Sequence, residues 1–532
     1  MRKLILLVVA AALVACGSEN SPGTARPSVR RDSLRDTGRP VELVPADAIV
    51  VVRLRSFDAL RGLMTQVEKA TGKTPVGDPL EMISAGTDVD PRQVVADRPV
   101  LIAVNLVGQP PQAKTAYILP VKEPQAVAAK SPLAHAVKGG YVGLSEVPGY
   151  KAGAGSALAN DLPDKSVAVR VDLARVMELQ GPAIRMQLGM AQAMAANALQ
   201  AGAPGSNPAS MAWVFGSLKD LVDSAETLEV VADNRGTVLD IDLAYTAKTG
   251  SALDKAEEKS TLGELAAHLP ADFPLVLLFT LDLAGAVDLF DAFGDAVPEP
   301  ARADFKARMA AAKAMLHGLG SEWVSGVDVS KQGFRMVFAG RAQDAGAYVQ
   351  RYADLVGAKV FRDAGVLATP EGKRTVGDAT VHRLRLKLDA QKYAKAHGAR
   401  AGEAASFFTN AFGDKGAVVD LAAAGDRIVV TVDRDGALCE QVLLGGGVPA
   451  DLDRALGRVP GELGFLVHLD VRGLLRGLVE YRRAAGQAAP EVPEGGPVPI
   501  AVYGSRSGRV YQAGLSVELE QTGILVDLMK RK

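Results

Sequence analysis

The sequence has little of several residue types on which binding and catalytic sites are often built. Only 5% of its 532 residues are aromatic, and it contains six histidines and two cysteines. Its 61 acidic residues nearly balance its 60 basic ones. This balance argues against nucleic-acid binding, which calls for a basic surface. The scarcity of aromatic residues predicts cores built mostly of Ala, Val and Leu.

Known catalytic and metal-binding patterns are also missing. The sequence contains no Gly-x-Ser-x-Gly, no Cys-x-x-Cys and no pair of histidines spaced four apart. Gly72-Lys73-Thr74 ends like a phosphate-binding loop, but Val67 stands where that loop needs glycine, so we interpret the segment as a helix end and its turn. The sequence therefore predicts no catalytic residue, no metal, no cofactor and no enzymatic activity.

The longest uninterrupted apolar run lies at the start of the chain. Leu4 to Leu13 follows the positive residues Arg2 and Lys3. A positive start, a short apolar run and small residues after it are typical of a secretory signal peptide. The run is too short for a membrane-spanning helix, which needs about 20 residues. We therefore predict that residues 1–15 are a signal peptide.

The end of this segment resembles the lipobox of bacterial lipoproteins. The residues that carry the resemblance are Leu13-Val14-Ala15-Cys16, followed by Gly17. The resemblance implies cleavage before Cys16, acylation of that cysteine and attachment to a membrane by lipid. In such lipoproteins an Asp after the cysteine marks retention in the inner membrane, so Gly17 implies the outer membrane of the cell envelope. The alternative is an ordinary secretory signal with an incidental cysteine.

Residues 16–40 are predicted to be the lipidated cysteine and a flexible linker. Ser18 to Pro40 is rich in Ser, Arg, Asp, Gly and Pro and has no apolar period, so it cannot bury enough surface to fold. With Cys16 committed to lipid, Cys439 has no partner for an intramolecular disulfide. Its apolar neighbours predict a small buried side chain rather than a reactive thiol.

After the linker, a proline-led pattern occurs four times. Each copy has a proline, an apolar strand and a Ser or Asp that begins a helix. The prolines are Pro45, Pro163, Pro270 and Pro460; the strands are predicted at 49–54, 167–171, 275–281 and 465–469; the helices begin at Ser56, Asp172, Asp282 and Asp470. Proline fits before a strand because its missing N–H removes no ladder bond there, and Ser or Asp caps a helix start.

A β-hairpin is predicted after each of these helices. The paired strands are 100–106 with 116–121, 228–232 with 238–244, 323–329 with 334–339, and 500–503 with 510–519. Three of the turns end in glycine, which supplies the positive φ that hairpin turns need. Further strands are predicted at 381–388, 416–421 and 427–432. Alternating apolar and polar residues in the hairpins indicate antiparallel sheets with one solvated face.

These elements predict an α+β fold of repeated strand–helix–hairpin–helix units. We expect two lobes: residues 41–250 with two units, and residues 262–532 with two units and the inserted strands. Chance similarity among proline-led segments is the alternative to a true repeat. The body resembles uncharacterised bacterial envelope proteins, a resemblance that implies no activity.

The methionines Met186, Met190 and Met194 lie four residues apart, which places them on one face of a helix. One interpretation is a core face packed on a sheet; another is an adaptable lining for an apolar ligand, since methionine suits variable apolar contacts. Copper binding lacks supporting His or Cys.

Three functional hypotheses remain open. The first is a non-enzymatic scaffold or interaction protein of the envelope, attached to the membrane by its lipid and contacting other envelope proteins. The second is a binding module for lipid or another apolar ligand. The third is an enzyme, which no motif supports.

Overall fold

The computed structural model describes residues 40–71, 77–108, 111–153, 155–160, 162–200, 216, 219–251, 253–254, 260–280, 318–356, 365–397, 401–445, 447–448, 450–484, 486–519 and 523. The predicted signal peptide, Cys16 and most of the linker lie outside the described residues. So do the predicted helix from Asp282 and the segment Gly72-Lys73-Thr74.

The predicted α+β composition is confirmed. Helices and 18 strands are interspersed along the described part of the chain. The α-helices are α1 Phe57–Thr71, α2 Pro79–Thr87, α3 Pro124–Lys130, α4 Leu173–Gln200, α5 Leu262–Ala266, α6 Ala345–Val356, α7 Ala390–His397, α8 Ala401–Phe412, α9 Leu438–Leu443, α10 Ala450–Leu456 and α11 Val471–Ala484.

The chain divides into two compact units. The first comprises Met1–Met194, Phe215–Ala256 and Ser507–Lys532, and the second comprises Ala195–Val214 and Glu257–Arg506. Two segments depart from the expected lobe boundaries: Ser507–Lys532 was expected with residues 262–532, and Ala195–Val214 with residues 41–250.

The first unit contains nine strands, each antiparallel to its neighbours. They are β1 Val50–Leu54, β2 Val100–Val107, β3 Gln112–Pro120, β4 Ala134–Lys138, β5 Tyr141–Ser145, β6 Val167–Asp172, β7 Ala225–Arg235, β8 Val238–Ala247 and β18 Val510–Glu518. Their order across the sheet is β4–β5–β3–β2–β1–β6–β7–β8–β18. Residues from Ser507 belong to this unit because β18 pairs with β8 from end to end.

The two proline-led strands of this unit, β1 and β6, are neighbours at the centre of the sheet, with Val52 opposite Val169. On one face they pack under residues of α1, α2 and α3. On the other face Val51, which is fully buried, lies under the segments that contain Leu43 and Leu158. The prediction of one solvated face is therefore wrong at the centre of this sheet, because irregular segments cover the second face.

The second unit also contains nine strands in antiparallel order. They are β9 Leu275–Thr280, β10 Leu319–Ser330, β11 Gly333–Ala342, β12 Val366–Val376, β13 Ala379–Leu388, β14 Ala417–Ala424, β15 Arg427–Asp433, β16 Glu462–Asp470 and β17 Pro499–Ser507. Their order is β12–β13–β14–β15–β11–β10–β9–β16–β17. Here too the proline-led strands, β9 and β16, are neighbours, with Leu278 opposite Leu466.

Two hydrophobic cores are built on this second sheet. The larger gathers residues of α5, α9 and α10 over β9, β10 and β16. Another lies around Trp323 and includes Ala345 and Val349 of α6. The aromatic residues are few but concentrated: Trp323 stacks on Phe338 with ring centroids 4.7 Å apart.

Three of the four predicted helix starts show the expected cap. The Ser56 hydroxyl accepts a hydrogen bond from the Ala59 N–H at 2.9 Å. The Asp172 carboxylate accepts one from the Arg175 N–H at 2.8 Å, and that of Asp470 accepts one from the Arg472 N–H at 3.2 Å. Each satisfies an N–H that has no partner within its helix.

Sequence reasoning missed three strands, β4, β5 and β12. β4 and β5 are short, with five residues each. β12 is mostly exposed and contains Pro370 and Gly372, residues that usually argue against a strand. It pairs on one side with β13, and a proline is tolerated where a strand needs no ladder bond on its other side.

Candidate functional site

The methionine helix α4 is built on the end of β6. Asp172 ends that strand and caps the helix. The first helical residue, Leu173, packs against a small cluster of Ala225, Tyr245 and Ala247. The base of α4 is therefore fixed to the sheet by a cap and by apolar contact.

Contact with the body weakens beyond the middle of the helix. Gly181 is buried, and the next residue, Pro182, is exposed and lacks the N–H that would continue the helical ladder. Arg185 donates two hydrogen bonds to one carboxylate oxygen of Asp223, at 3.1 and 2.8 Å. Arg185 is also the last charged residue of the helix.

The three methionines follow this point, and their side chains face solvent. The exposed fractions are 61% for Met186, 52% for Met190 and 73% for Met194. The interpretation of this face as packed core is therefore wrong.

The region is also free of charge. From Met186 to Leu218 the sequence contains no Asp, Glu, Lys or Arg, although 23% of the whole chain is charged. Between Met186 and Met194 the other residues are Ala, Gly, Gln and one partly buried Leu. We call the exposed face of Met186, Met190 and Met194 the methionine face. With no titratable group on it, this face can bind by excluding water but cannot transfer protons.

This part of α4 is helical although the methionine face is exposed, because its residues favour helix. Ala, Met, Leu and Gln are among the best helix formers, and they make up most of α4 after Pro182. Apolar side chains held in solvent by a regular helix mark a contact surface more often than a folding requirement. The signal that could have revealed this exposure is the loss of charge after Arg185.

The remaining cysteine behaves as the sequence predicted. Cys439 is free and fully buried on α9. Burial, reinforced by the nearby Asp420 carboxylate, raises the pKa of its thiol to about 12. The thiolate that would react is therefore scarce at neutral pH.

A buried ionic cluster lies beside this cysteine. Asp420 is fully buried and accepts hydrogen bonds from Arg383 at 2.8 and 2.5 Å and from Arg374 at 3.1 Å. Both arginines also donate to the Gly436 carbonyl. Asp433 accepts from the Gly436 and Leu438 N–H groups at 2.7 and 2.8 Å, at the start of α9. Each of these charged groups is hydrogen-bonded to another group of the protein. This indicates that the cluster holds the start of α9 in place rather than forming a reaction centre.

The histidines are spread over both units. His382 lies buried in β13, His468 in β16, and His135 is exposed in β4. Burial lowers the pKa of His468, and Arg454 lowers it further against the opposing effect of Asp470. Within the described residues no three His, Cys, Asp or Glu side chains come together as a metal site.

The described helices include none that is long and apolar enough to cross a bilayer. The predicted acylation site, Cys16, lies outside the described residues. Of the residues singled out from the sequence, the structure therefore places the methionine face and Cys439.

Comparison with known proteins gives little further information. No protein-family profile matches the chain, and no curated protein matches it. Among solved structures, crystal form IV of TP0453 aligns with 48% of this chain and 96% of its own, at 8% identity and a TM-score of 0.21. Crystal form III aligns with 51% of this chain and 98% of its own, at 7% identity and a TM-score of 0.22. Scores this low support no argument about fold or function.

Proposed function

We propose that this protein is an envelope lipoprotein that works by contact rather than by catalysis. In this proposal the acylated Cys16 holds a folded α+β body beside a membrane, and the body contacts other envelope components. The observation that carries the proposal is the methionine face: three apolar side chains exposed on the uncharged part of a helix whose base is anchored in the sheet.

The chemistry of the described side chains favours contact over catalysis. The buried carboxylates Asp420 and Asp433 are satisfied by arginines or by helix N–H groups. Asp233 likewise accepts hydrogen bonds from Arg55, Lys165 and Ser166. Carboxylates held in this way join strands and helices, and their oxygen atoms bind groups of the protein rather than a substrate.

The lipid anchor is tested directly by changing the acylated residue. We expect Cys16→Ser to release the protein from the membrane fraction, because the acyl chains supply the attachment. Mass spectrometry of the native protein should show a mature chain that begins at Cys16 and carries fatty acid. Cys439→Ser serves as the matched control and should leave fractionation unchanged. A Cys16→Ser protein that stays with the membrane would contradict the anchor.

The outer membrane is the proposed location, on the basis of Gly17. We expect Gly17→Asp to move the protein to the inner membrane in a cell that has two membranes. Separation of the two membranes on a density gradient checks this, and an unchanged distribution would contradict the sorting proposal.

A second candidate function is a binding module for lipid or another apolar ligand, with Met186, Met190 and Met194 lining the ligand. The exposure of these side chains favours it, because an adaptable apolar face is free to receive a ligand. Native purification followed by mass spectrometry for bound lipid distinguishes this candidate from a protein scaffold. Copurified lipid that is lost on Met190→Gln supports it; an unchanged lipid content counts against it.

The architecture is proposed to consist of two lobes, each built from a pair of repeat units. Support comes from strand order: each nine-stranded unit has its two proline-led strands adjacent and antiparallel, β1 with β6 and β9 with β16. On both sides of each central pair, the next strands outward are those that follow in the corresponding segment. Such an order is what two related strand–helix–hairpin segments produce when their first strands pair.

A further inference from the structure

We propose that the methionine face lies on the lipid bilayer itself, as a second, non-covalent membrane contact of this protein. The inference deepens the proposed function and rests on it, because the acyl anchor is what brings the helix to the membrane. In this proposal the methionine face lies at the boundary between lipid headgroups and acyl chains, where an interfacial helix buries its apolar side.

The first argument is the absence of charge. Protein–protein interfaces are enriched in aromatic residues, arginine and methionine, and of these the segment from Met186 to Met194 contains only methionine. A bilayer interior, in contrast, strongly disfavours charged side chains. A surface that carries methionine, alanine and glutamine only is compatible with burial in lipid.

The second argument is position. The described chain begins at Pro40, where the predicted linker ends, and it enters the sheet nine residues later. At that point the Ile49 carbonyl accepts a hydrogen bond from the Asp172 N–H at 2.9 Å, directly at the start of α4. The chain that follows the linker therefore enters the sheet beside the base of the methionine helix.

The third argument is reach. A flexible linker of the length of residues 16–39 extends about 25–30 Å on average. The helix of 28 residues is itself about 42 Å long. An anchor at Cys16 thus keeps α4 within its own length of the bilayer, so contact requires no large displacement of the body.

The face differs from most interfacial helices in one respect. Such helices usually carry Lys or Arg on the polar side, which adds attraction to anionic lipids. Here the polar positions are Gln187 and Gln192. The contact should therefore depend on apolar burial and be the same for zwitterionic and anionic membranes.

The test uses the full acylated protein in vesicles, with one introduced cysteine as a labelling site. Met190→Cys provides a probe on the face. Glu178→Cys, whose parent side chain is 62% exposed near the base of the same helix, provides the matched control. Both carry an environment-sensitive fluorophore. The native thiols do not compete, because Cys439 is buried with a pKa of about 12 and Cys16 is acylated.

Two quenchers then report the surroundings of each label. In vesicles of phosphatidylcholine we expect brominated acyl chains to quench the label at 190 several-fold more than the label at 178. We expect iodide in the water phase to quench the label at 190 several-fold less. The same result should appear when phosphatidylglycerol is added.

Three outcomes would overturn the proposal. In the first, the label at 190 is as accessible to iodide as the label at 178. In the second, it is shielded from iodide but not quenched by brominated lipid, which would assign the face to a protein partner or a second copy. In the third, quenching by lipid appears only with the anionic vesicles.

Failure of the anchor is separable from failure of this contact. If mass spectrometry finds Cys16 without fatty acid, the proposed anchor fails. The chain with Cys16→Ser and the same label, added to preformed vesicles, still reports whether the face enters lipid. Met190→Asp should weaken that binding several-fold while leaving the far-ultraviolet circular dichroism unchanged, since Met190 is exposed.

Discussion

Two helices of this protein follow the same sequence pattern and have opposite surroundings. Both α4 and α11 come directly after a proline-led strand and begin at a capping Asp. The helix α11 carries five charged residues, yet its apolar side is buried. From Met186 to Met194 the helix α4 has no charge, yet every residue of that stretch except the partly buried Leu188 is exposed. Overall polarity therefore does not decide which helix is packed.

The helix α11 is packed through a narrow stripe of apolar residues, and a glycine on the same helix allows it to approach β10 closely. Val471, Leu475 and Val479 are buried at four-residue steps. A side-chain carbon at Gly477 would overlap the Val329 carbonyl oxygen of β10. Leu478, which lies outside this stripe, is exposed.

The polar side of α11 is secured as well. Arg472 is buried and donates to the Gly496 carbonyl at 2.6 Å, and Arg476 donates to the Gly495 carbonyl at 3.0 Å. These arginines hold the segment that leads from the helix to β17. No charged residue of α4 follows Arg185, so no comparable charged contact forms there, and the methionine side chains beyond it are exposed.

The largest expected effect comes from Gly477→Ala. Because the added carbon overlaps backbone rather than a movable side chain, we expect the free energy of unfolding to fall by about 1–3 kcal/mol or more. Urea unfolding followed by the fluorescence of Trp323, which lies on β10, measures this loss. An unchanged midpoint would show that α11 is not closely packed on β10.

A comparable loss is expected from Arg472→Ala. Removing a buried guanidinium leaves the Gly496 carbonyl without this donor, which costs about 1.5–3 kcal/mol for a hydrogen bond to a charged group. The exposed Arg476→Ala is the control and should cost clearly less. Urea unfolding gives both values, and hydrogen exchange across residues 493–498 should rise mainly in the first variant. Equal effects would contradict the assigned difference in burial.

The strands before the two helices also differ in whether they contain a histidine. Burial lowers the pKa of His468, in β16, from its ordinary value of 6.5, whereas β6 contains no histidine. The unfolded chain binds this proton near pH 6.5 and the folded chain only at lower pH. The stabilising contribution is therefore complete above pH 6.5 and is lost as the pH falls through the lowered pKa.

We accordingly expect stability to fall between about pH 7 and pH 5, and His468→Leu to reduce that slope. A residual slope should remain, since burial also lowers the pKa of His268 and His382. Urea midpoints at several pH values provide the measurement. An identical slope in the variant would contradict the role of His468.

The smallest effect is expected from Gly189→Ala, the counterpart of Gly477→Ala on the exposed helix. Nothing lies within 4 Å of a carbon added at Gly189. Alanine is the better helix former, so we expect a gain of up to about 1 kcal/mol in local helix stability. Hydrogen exchange of the α4 amides should slow. Faster exchange would show that this part of α4 is packed more closely than the described contacts indicate.

Much of the fold could be predicted because it depends on local pattern. The hairpin strands β10 and β11 were expected at 323–329 and 334–339, and they extend over Leu319–Ser330 and Gly333–Ala342. Caps at Ser56 and Asp172 were expected from residue type alone. The candidate site was predicted less fully: the spacing of the methionines placed them on one face, but it left open whether that face is packed core or a lining for an apolar ligand.

The sequence by itself determined where strands and helices begin and which residues share a face, because alternation, four-residue spacing and capping act over a few residues. Only the tertiary structure decided which faces are covered. Ile49 meets Asp172, and β18 joins β8, across long stretches of chain. Burial is a property of such distant contacts: a methionine stripe is core where another element covers it and surface where none does.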